Sequence, residues 1–543
     1  MARHRPSAVG IDFGTSTSLV ARRHGSEPPE ILAIGVSRRW LPSLFGRHNG
    51  HLLVGEDVES LTPEQVVRSI KRAITLDHAM VTFGDSESGA EVSRDEVITE
   101  ILREVARRAK TRGLPLDRQR DLRLGCPAMW RRDQRQLILD LATAAGIPVD
   151  AATLVEEPIA AGLAWLSSGY VDPKTVDGRL LVFDMGGGTL DIAVLDVEGG
   201  RPPGVRVLTS VGLPIAGDAL DEAIARDLTA ELVERGVEMD RLRKPENAQA
   251  EILRQAREAK VLLSTKESQS IVFARAAFAG RKVPTVRYTR DRLAEVFRPQ
   301  MAAAEEKVWD ALRLARLTHY RGSTTSEIFR TSTYELARDV DYLLLAGGMS
   351  RIPHVRQRLT ELLPEAKLFD SIGVAADEAV VAGLTDTSDA DPINLYRPGF
   401  DFTLTWDGGQ SLRLYEAYTP LFEMYQLYTM SEPSYTYQAG RRQGIPQQRQ
   451  GELTVATPSG DRVNLCYVDN FGQEHVIDQL PVRFGFHDLL FRLRCDGRVQ
   501  MTDGTNEGHQ LRVEPWPVIH GPDSRQEPQE PQDPPVYYPF NKP

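Results

Sequence analysis

Two short segments of the chain end an apolar, strand-like run with an aspartate and continue into a turn rich in glycine and hydroxyl residues. The first has Asp12 before Gly14, Thr15, Ser16 and Thr17, and the second has Asp184 before Gly186, Gly187, Gly188, Thr189 and Asp191. Such turns present backbone N–H groups and hydroxyls to phosphate oxygens, and carboxylates suit a hydrated magnesium ion. A single turn of this kind is also common in ordinary β-hairpins. Three successive glycines, however, cost more backbone entropy on folding than a purely structural turn would need to lose. The pair therefore indicates a phosphate site made in two halves.

A third element is a buried strand that opens through Gly347 and Gly348 towards a helix that begins near Pro353. Two glycines at this point let the backbone approach a flat base or a ribose closely. A plain strand-to-helix turn is the alternative interpretation of the same residues.

These turns need strands and helices to hold them, and residues 1–385 alternate short apolar runs with helical patterns, which is typical of an α/β fold. Residues 9–21 and 181–193 form a weak internal repeat of strand, aspartate, turn and strand. Two related halves that face one another are the simplest architecture for such a repeat.

In this order and at these separations, the three elements resemble the nucleotide-binding core shared by actin, sugar kinases and the seventy-kilodalton heat-shock (DnaK-like) chaperones. The resemblance covers about residues 8–385 and is closest to the chaperones, on the stretches Val67–Arg72, Cys126–Arg135, Glu156–Ala164, Gly217–Asp221, Ala259–Ser264 and Ala376–Gly383. It implies a two-lobed actin-like ATPase fold with duplicated ribonuclease-H-like subdomains. It also implies ATP or ADP and Mg²⁺ as cofactors, with K⁺ as a further cation.

The resemblance also implies roles for individual residues. Asp12 and Asp184 would hold magnesium through its waters, and the two glycine-rich turns would contact the phosphates. Lys71, Glu157 and Asp191, together with Thr189, would form the catalytic group that positions or polarises the attacking water. The adenosine would be surrounded by Lys260, Ser264, Gly347, Gly348 and Asp377, and Gly217 and Arg351 would be further nucleotide-binding residues. Read without the resemblance, Lys71 is a solvated helix lysine and Glu157 a charge that favours a helix N-terminus.

The chain departs from the family pattern at three places. On the adenine side it has Arg257 where the family has a glutamate and Val261 where the family has an arginine, which puts base affinity and selectivity in question. Thr153 stands where the family has an arginine that engages J-domain partners, so an ordinary J-protein is not an expected partner. The leucine-rich linker of the family is replaced by the polar run of residues 385–391, which cannot bury the same apolar surface.

Composition limits the partners and the compartment. The 65 Lys and Arg residues are outnumbered by 76 Asp and Glu, so no global positive field exists to hold a nucleic acid. No apolar stretch is long enough to span a bilayer, so no membrane partner is expected. The 3 cysteines lack the spacing of a zinc site or a disulfide scaffold, which favours a reducing, cytoplasmic location.

The C-terminal part differs in composition. We expect a nucleotide-binding domain over residues 1–385, a polar linker over 386–394, a β-rich, sandwich-like domain over 395–519 and a disordered Pro-rich tail over 520–543. One hairpin is predicted in detail: a three-residue loop, Cys495–Gly497, pairs Leu493 with Val499 and Phe491 with Met501. The short, Pro-rich remainder predicts a β domain without a helical lid.

The sequence supports two functional hypotheses. The first is an atypical chaperone-type ATPase whose slow hydrolysis of Mg-ATP controls how the β domain binds polypeptide segments or a dedicated partner, with a nucleotide-exchange factor as a further partner. The second is a nucleotide-sensing scaffold that binds ATP with negligible hydrolysis. A sugar kinase or a filament-forming relative is disfavoured by the chaperone-like stretches around Lys71 and over residues 127–135, and by the added β domain.

Overall fold

The computed structural model describes residues 7–62, 65–84, 90–200, 203–319, 325–386, 393–428, 433–447, 449–468, 473–514 and 516. The predicted tail from residue 520 and residues 387–392 of the predicted linker lie outside this described part. Within it, no helix has the length and apolar character needed to cross a membrane.

The first lobe is formed by the N-terminal elements of the chain. Its strands are β1 (Ser7–Phe13), β2 (Thr17–His24), β3 (Glu30–Ile31), β4 (Leu41–Pro42), β5 (Phe45–His48), β6 (His51–Val54), β7 (Val66–Val67), β8 (Met80–Thr82), β9 (Glu91–Ser93), β10 (Asp121–Cys126) and β11 (Leu154–Glu156). The helices of this part are α1 (Lys71–Thr75), α2 (Arg94–Thr111), α3 (Arg132–Ala144) and α4 (Glu157–Leu166).

Helix α2 shows how local sequence sets these bounds. The Ser93 hydroxyl accepts a hydrogen bond from the Asp95 N–H at 3.2 Å, which caps the helix start. Acidic residues occupy the first turn and basic residues the last turn, as the helix dipole favours. The apolar residues from Val97 to Val105 form one buried face, so the helix covers the first sheet.

The second lobe repeats this architecture. Its strands are β12 (Gly178–Met185), β13 (Leu190–Glu198), β14 (Gly204–Leu213), β15 (Ser268–Ile271), β16 (Val286–Thr289), β17 (Tyr342–Ala346) and β18 (Lys367–Phe369). Its helices are α5 (Gly217–Glu234), α6 (Pro245–Leu263), α7 (Arg290–His319), α8 (Thr325–Arg330), α9 (Thr333–Ala337), α10 (Pro353–Leu362) and α11 (Ala379–Gly383). Strand β12 is buried along its whole length, because helices cover both faces of its sheet.

The two main sheets have the same topology, which confirms the duplicated α/β architecture. The first has the order β3-β2-β1-β10-β11, with β4 also on β2, and the second has the order β14-β13-β12-β17-β18. In each sheet the first strand pairs antiparallel with the next strand in the chain and parallel with a later one. Asp12 and Asp184 therefore occupy equivalent positions, one residue before the end of β1 and of β12.

Helices α4 and α11 connect the two lobes. Helix α4 follows β11 of the first sheet but packs on β12 and β13 of the second, whereas α11 follows the second lobe and packs on β1 and β2 of the first. They touch where they cross: a Cβ added to Gly383 would lie 1.7 Å from the Ala160 carbonyl oxygen. Only a glycine allows the two backbones to approach this closely.

The C-terminal domain is built from strands in one continuous antiparallel sheet. These are β19 (Asp401–Trp406), β20 (Gln410–Tyr415), β21 (Ser434–Ala439), β22 (Gln450–Ala456), β23 (Arg462–Val468), β24 (Glu474–Ile477), β25 (Gln479–Arg483), β26 (Leu489–Arg494), β27 (Arg498–Thr502) and β28 (Gly508–Glu514). The order is β20-β19-β22-β23-β28-β27-β26-β21, with β24 on β23 and β25 on β22. Phe402 of β19 and Phe491 of β26 have ring centroids 5.0 Å apart, because the sheet curls into a barrel-like shape around one core.

The predicted hairpin of this domain is confirmed in its register. Phe491 pairs with Met501 and Leu493 with Val499, and Gly497 has φ of 77°. The left-handed glycine lets a three-residue loop join the strands, and all four paired side chains are buried on one face.

The β domain is joined to the second lobe by a short docked segment. The Leu395 N–H donates to the Val207 carbonyl oxygen at 2.9 Å, and Asn394 forms a parallel bridge with Val207 on β14. Leu395 and Tyr396 are buried in a core shared by the second lobe and the β domain. The polar character of residues 385–391 therefore did not indicate how the chain docks: the apolar residues that pack against the lobe come just after that run.

Candidate nucleotide-binding site

The first predicted turn is closed by the Gly14 N–H, which donates to the Thr17 carbonyl oxygen at 3.0 Å. A Cβ on Gly14 would lie 2.3 Å from that oxygen, so the turn requires glycine at this position. Thr15 is buried and Ser16 is exposed at the mouth of the cleft between the lobes.

Ser43, which the sequence analysis did not identify, fixes this turn from behind. Its N–H donates to the Ser16 carbonyl oxygen at 2.9 Å and its hydroxyl donates to the Gly14 carbonyl oxygen at 2.8 Å. The same hydroxyl lies 3.0 Å from the Ser18 hydroxyl, and both serines are fully buried. The serine therefore fixes the backbone conformation of this turn through two of its carbonyl groups.

The second turn has the same closure and packs against the first. The Gly186 N–H donates to the Thr189 carbonyl oxygen at 3.0 Å. A Cβ on Gly187 would lie 2.4 Å from the Ser16 hydroxyl oxygen, and one on Gly188 would lie 2.7 Å from the Thr15 hydroxyl oxygen. The successive glycines thus let the two turns meet face to face, which a side chain on either glycine would prevent.

Lys71, Glu157 and Asp191 form a buried charged group beside the turns. Lys71 is only 3% exposed and its ammonium pairs with the Glu157 carboxylate, which contradicts the alternative of a solvated helix lysine. Although burial lowers the pKa of Lys71, the carboxylates of Glu157 and Asp12 raise it, and the net shift is upward. Asp191 is 1% exposed, and one of its oxygens accepts the Ala128 N–H at 2.8 Å.

Asp12 and Asp184 approach one another from the equivalent ends of β1 and β12. Burial, with repulsion from Glu157, raises the pKa of Asp12 to about 7 and raises that of Asp184 well above its usual range. A cation between the lobes would relieve this crowding, and magnesium prefers oxygen ligands and keeps several of its waters. The pair therefore fits a hydrated magnesium ion; the described residues contain no cluster of three metal-binding side chains that would enclose a bare one.

The predicted adenosine side lies at the other end of the cleft. The Lys260 ammonium donates to the Gly217 carbonyl oxygen at 3.0 Å and pairs with Asp221 at 2.8 Å, so it ties α6 to the start of α5. Arg351 forms an ion pair with Asp377. Gly347 has φ of +78°, and a Cβ there would lie 2.4 Å from an Asp184 carboxylate oxygen. The absence of a side chain at Gly347 therefore lets this segment of the predicted adenosine side pack directly against Asp184 of the proposed metal site.

One cavity of about 390 Å³ brings these groups together. The predicted residues that line it are Asp12, Gly14, Thr15, Ser16, Thr17, Lys71, Glu157, Asp184, Gly186, Gly187, Thr189, Gly217, Lys260, Ser264, Gly347, Gly348, Arg351 and Asp377. Gly188 and Asp191 are not part of the lining. Gly188 packs against Thr15 of the first turn, and Asp191 is buried and hydrogen-bonded to Thr189.

The cavity also has apolar walls that the sequence analysis missed, formed by Trp40, Val261, Met349, Ile352, Ala376 and Val380. Apolar side chains carry no chemical signal in a sequence. Their position on a cavity wall depends on contacts between segments that are far apart in the chain.

Two duplicated lobes that meet at paired aspartates and glycine-rich turns define the class of protein: an actin-like, two-lobed nucleotide-binding fold. A family model described as Hsp70 protein matches residues 8–387. The chain therefore belongs to the Hsp70 family.

The chain is also similar to individual chaperone proteins. The chain is 28% identical over 367 residues to the chaperone protein DnaK of Thermoplasma volcanium, which covers 65% of this chain and 54% of that protein. It is 28% identical over 391 residues to DnaK of Thermosipho africanus and 27% identical over 391 residues to DnaK of Thermotoga maritima, covering 70% of this chain and 59% of each relative. The chain thus spans somewhat more than half the length of these relatives.

We expect Ser43→Ala to weaken ATP binding by about tenfold while adenosine binding changes little. The substitution removes the side-chain donor of the partly buried Gly14 carbonyl oxygen, which costs about 1–3 kcal/mol and lets the first turn relax. Calorimetric titration with ATP and with adenosine measures both affinities. Ser350→Ala is the matched control, because Ser350 is also a buried serine with its hydroxyl on a backbone carbonyl, at the base side. An equal loss for both ligands in Ser43→Ala would contradict a role at the phosphates.

Proposed function

We propose that this protein is a chaperone-type ATPase that binds Mg-ATP in the 390 Å³ cavity and hydrolyses it slowly. The buried Lys71–Glu157 pair, next to Asp191 and the two turns, is the observation that supports this proposal most strongly. Burying three charged side chains is costly unless they are paired, and a purely structural turn would not need them.

Each group has a distinct part in the proposed reaction. The N–H groups and hydroxyls of the two turns bind the phosphates and hold the terminal phosphate in line with a water. Glu157 accepts a hydrogen bond from that water, and Asp191 positions the water through Thr189, which lines the cavity and bonds Asp191 with its side chain. The Lys71 ammonium stabilises the negative charge that develops on the transferred phosphate. Bound magnesium would neutralise phosphate charge between Asp12 and Asp184. Phosphoryl transfer needs little more than this positioning and charge.

In the same proposal, the β domain binds polypeptide segments or a dedicated protein partner. From β19 onward the described residues form strands and short 3-10 turns and contain no α-helix. Segments held without a lid exchange quickly, so the state of the nucleotide would control a transient interaction. The shared core around Leu395 provides a physical connection between the domain and the second lobe.

A scaffold that binds ATP with negligible hydrolysis is the second candidate. It is favoured by the base side, where Val261 is 64% exposed and the Lys260 ammonium is already engaged by Gly217 and Asp221. A loosely held base would suit sensing of the nucleotide rather than turnover.

Single-turnover hydrolysis of labelled ATP with magnesium distinguishes the two. We expect wild type to convert bound ATP to ADP and Asp184→Asn to lose at least about a hundredfold in rate, because the substitution removes one carboxylate of the metal site. Asp140→Asn, an exposed aspartate on α3, is the control and should match wild type. Tight binding without conversion in wild type would refute the ATPase and favour the scaffold. Equal peptide affinity in ATP and ADP would refute control of the β domain.

A further inference from the structure

Arg397 is a buried arginine at the start of the β domain, only 4% exposed, whose guanidinium crosses to the first lobe. It donates to the carbonyl oxygens of Ala128, Met129 and Trp130, the last two at 3.3 Å, and to that of Tyr418 at 2.8 Å. Three consecutive carbonyls of one lobe are thus held by one side chain of another domain. We call residues 128–130 the strap.

The opposite side of the strap faces the nucleotide site. The Ala128 N–H donates to an Asp191 carboxylate oxygen at 2.8 Å, and the Ala128 carbonyl oxygen accepts from Arg397. The two peptide groups that flank Ala128 are therefore bonded to Asp191 and to Arg397. The Trp130 ring centroid lies 5.7 Å from the Lys71 ammonium, and its indole N–H donates to the Thr75 hydroxyl at 3.0 Å. The strap is therefore the layer between Arg397 and two groups of the proposed catalytic centre.

The positive charge of Arg397 strengthens its hydrogen bonds to the strap. Hydrogen bonds from a charged donor contribute about 1.5–3 kcal/mol each, roughly twice as much as neutral ones. All the hydrogen bonds that the structure describes for this guanidinium go to carbonyl oxygens, whose direction depends on backbone conformation. Loss of this guanidinium would leave the Ala128 and Met129 carbonyl oxygens without the donor that the structure describes for them, whereas the Trp130 carbonyl oxygen also accepts the Arg135 N–H at 2.9 Å. The strap would then shift until the first two carbonyls found other partners.

We propose that Arg397 is a positioning residue for Asp191, which it holds in place from the β domain through the strap. The inference rests on the proposed ATPase function and adds the residue that transmits the position of the β domain to the site. When the β domain moves, the Ala128 and Met129 carbonyls lose Arg397 as their donor and the Ala128 N–H turns away from Asp191. The water-positioning carboxylate then loses its alignment, and misplacement of about 1 Å costs up to about a hundredfold in rate.

The test compares two arginines that cross the same interface. Arg132 pairs with Asp401 of the β domain at 2.5 Å but does not bond the strap carbonyls in the described contacts. In the full chain, we expect Arg397→Met to lower the single-turnover rate about tenfold or more, with the ATP dissociation constant within about threefold of wild type. The single-turnover rate of Arg397→Lys should lie between the rates of Arg397→Met and wild type, and the rate of Arg132→Met should match wild type. Equal rate losses in Arg397→Met and Arg132→Met would overturn the proposal, because domain docking alone would then explain them.

Hydrogen exchange of the strap amides gives a readout that does not depend on turnover. With ATP bound, the Ala128–Trp130 amides should exchange faster in Arg397→Met than in wild type. In Arg132→Met their exchange should be the same as in wild type. Unaltered exchange in Arg397→Met would overturn the proposal. If wild type does not hydrolyse ATP, the ATPase proposal fails, and the exchange result alone still decides whether Arg397 holds the strap.

Discussion

Lys71→Met should lower the single-turnover rate of ATP hydrolysis by at least about a hundredfold while ATP binding stays within about threefold of wild type. Lys71 is the buried cation of the proposed catalytic group, and its ammonium pairs with Glu157. The substitution removes the positive charge from the place where the transferred phosphate becomes more negative. In the proposed site the turns and the base side would make most contacts to the nucleotide, so binding should depend less on this side chain.

The same substitution leaves Glu157 buried without its partner, which costs about 3–5 kcal/mol when the carboxylate stays ionised. The double variant Lys71→Met with Glu157→Gln removes both charges and should fold, bind ATP and remain inactive. Thermal unfolding with and without ATP checks that each variant is folded. Lys110→Met, at an exposed lysine near the end of α2, should keep full activity. Near-normal turnover in the double variant would refute the assigned roles of both residues.

Gly383→Ala should destabilise the protein by about 3 kcal/mol or more, because it forces α4 and α11 apart. The added Cβ would lie 1.7 Å from the Ala160 carbonyl oxygen, and neither element is a flexible side chain that could move aside. Glu157 is the first residue of α4, so separation of the helices also displaces a group of the proposed catalytic centre. We therefore expect a lower melting temperature together with slower hydrolysis.

Gly508→Ala is the control for this effect. A Cβ at Gly508 meets no atom within 4 Å, and its backbone is not in the left-handed region. Thermal unfolding of both variants should show a loss confined to Gly383→Ala. Equal melting temperatures for the two variants would contradict the expected clash between α4 and α11 at Gly383.

The parts of the fold that were predicted correctly are encoded by short stretches of chain. The repeat around Asp12 and Asp184 is visible because a strand, an aspartate and a glycine-rich turn follow each other within about a dozen residues. The register of the hairpin at Gly497 followed from loop length and the alternation of apolar residues. Roles for Lys71 and Glu157 came from the family resemblance, since a lysine on a short helix does not by itself indicate burial.

The parts that could not be predicted depend on contacts between distant segments. Ser43 reaches the first turn from almost thirty residues away in the chain, and Arg397 reaches the strap from more than two hundred and sixty. Serine and arginine are common at surfaces, and no local pattern distinguishes these two from exposed ones. The docking of Leu395 could not be predicted for a related reason, because Val207, its hydrogen-bond partner, lies almost two hundred residues away in the chain.

The crossing of α4 and α11 has a consequence for how the protein is made. A ribosome delivers the chain from its N-terminus at about 5–20 residues per second, so α11, which begins at Ala379, emerges about 20–70 seconds after β1. Leu19 and Ala21 of the first sheet pack with Val381 of α11. A nascent or truncated chain that stops before α11 therefore leaves this apolar face uncovered, and the first half of this chaperone relative is itself an incompletely folded polypeptide until nearly the whole nucleotide domain has been synthesised.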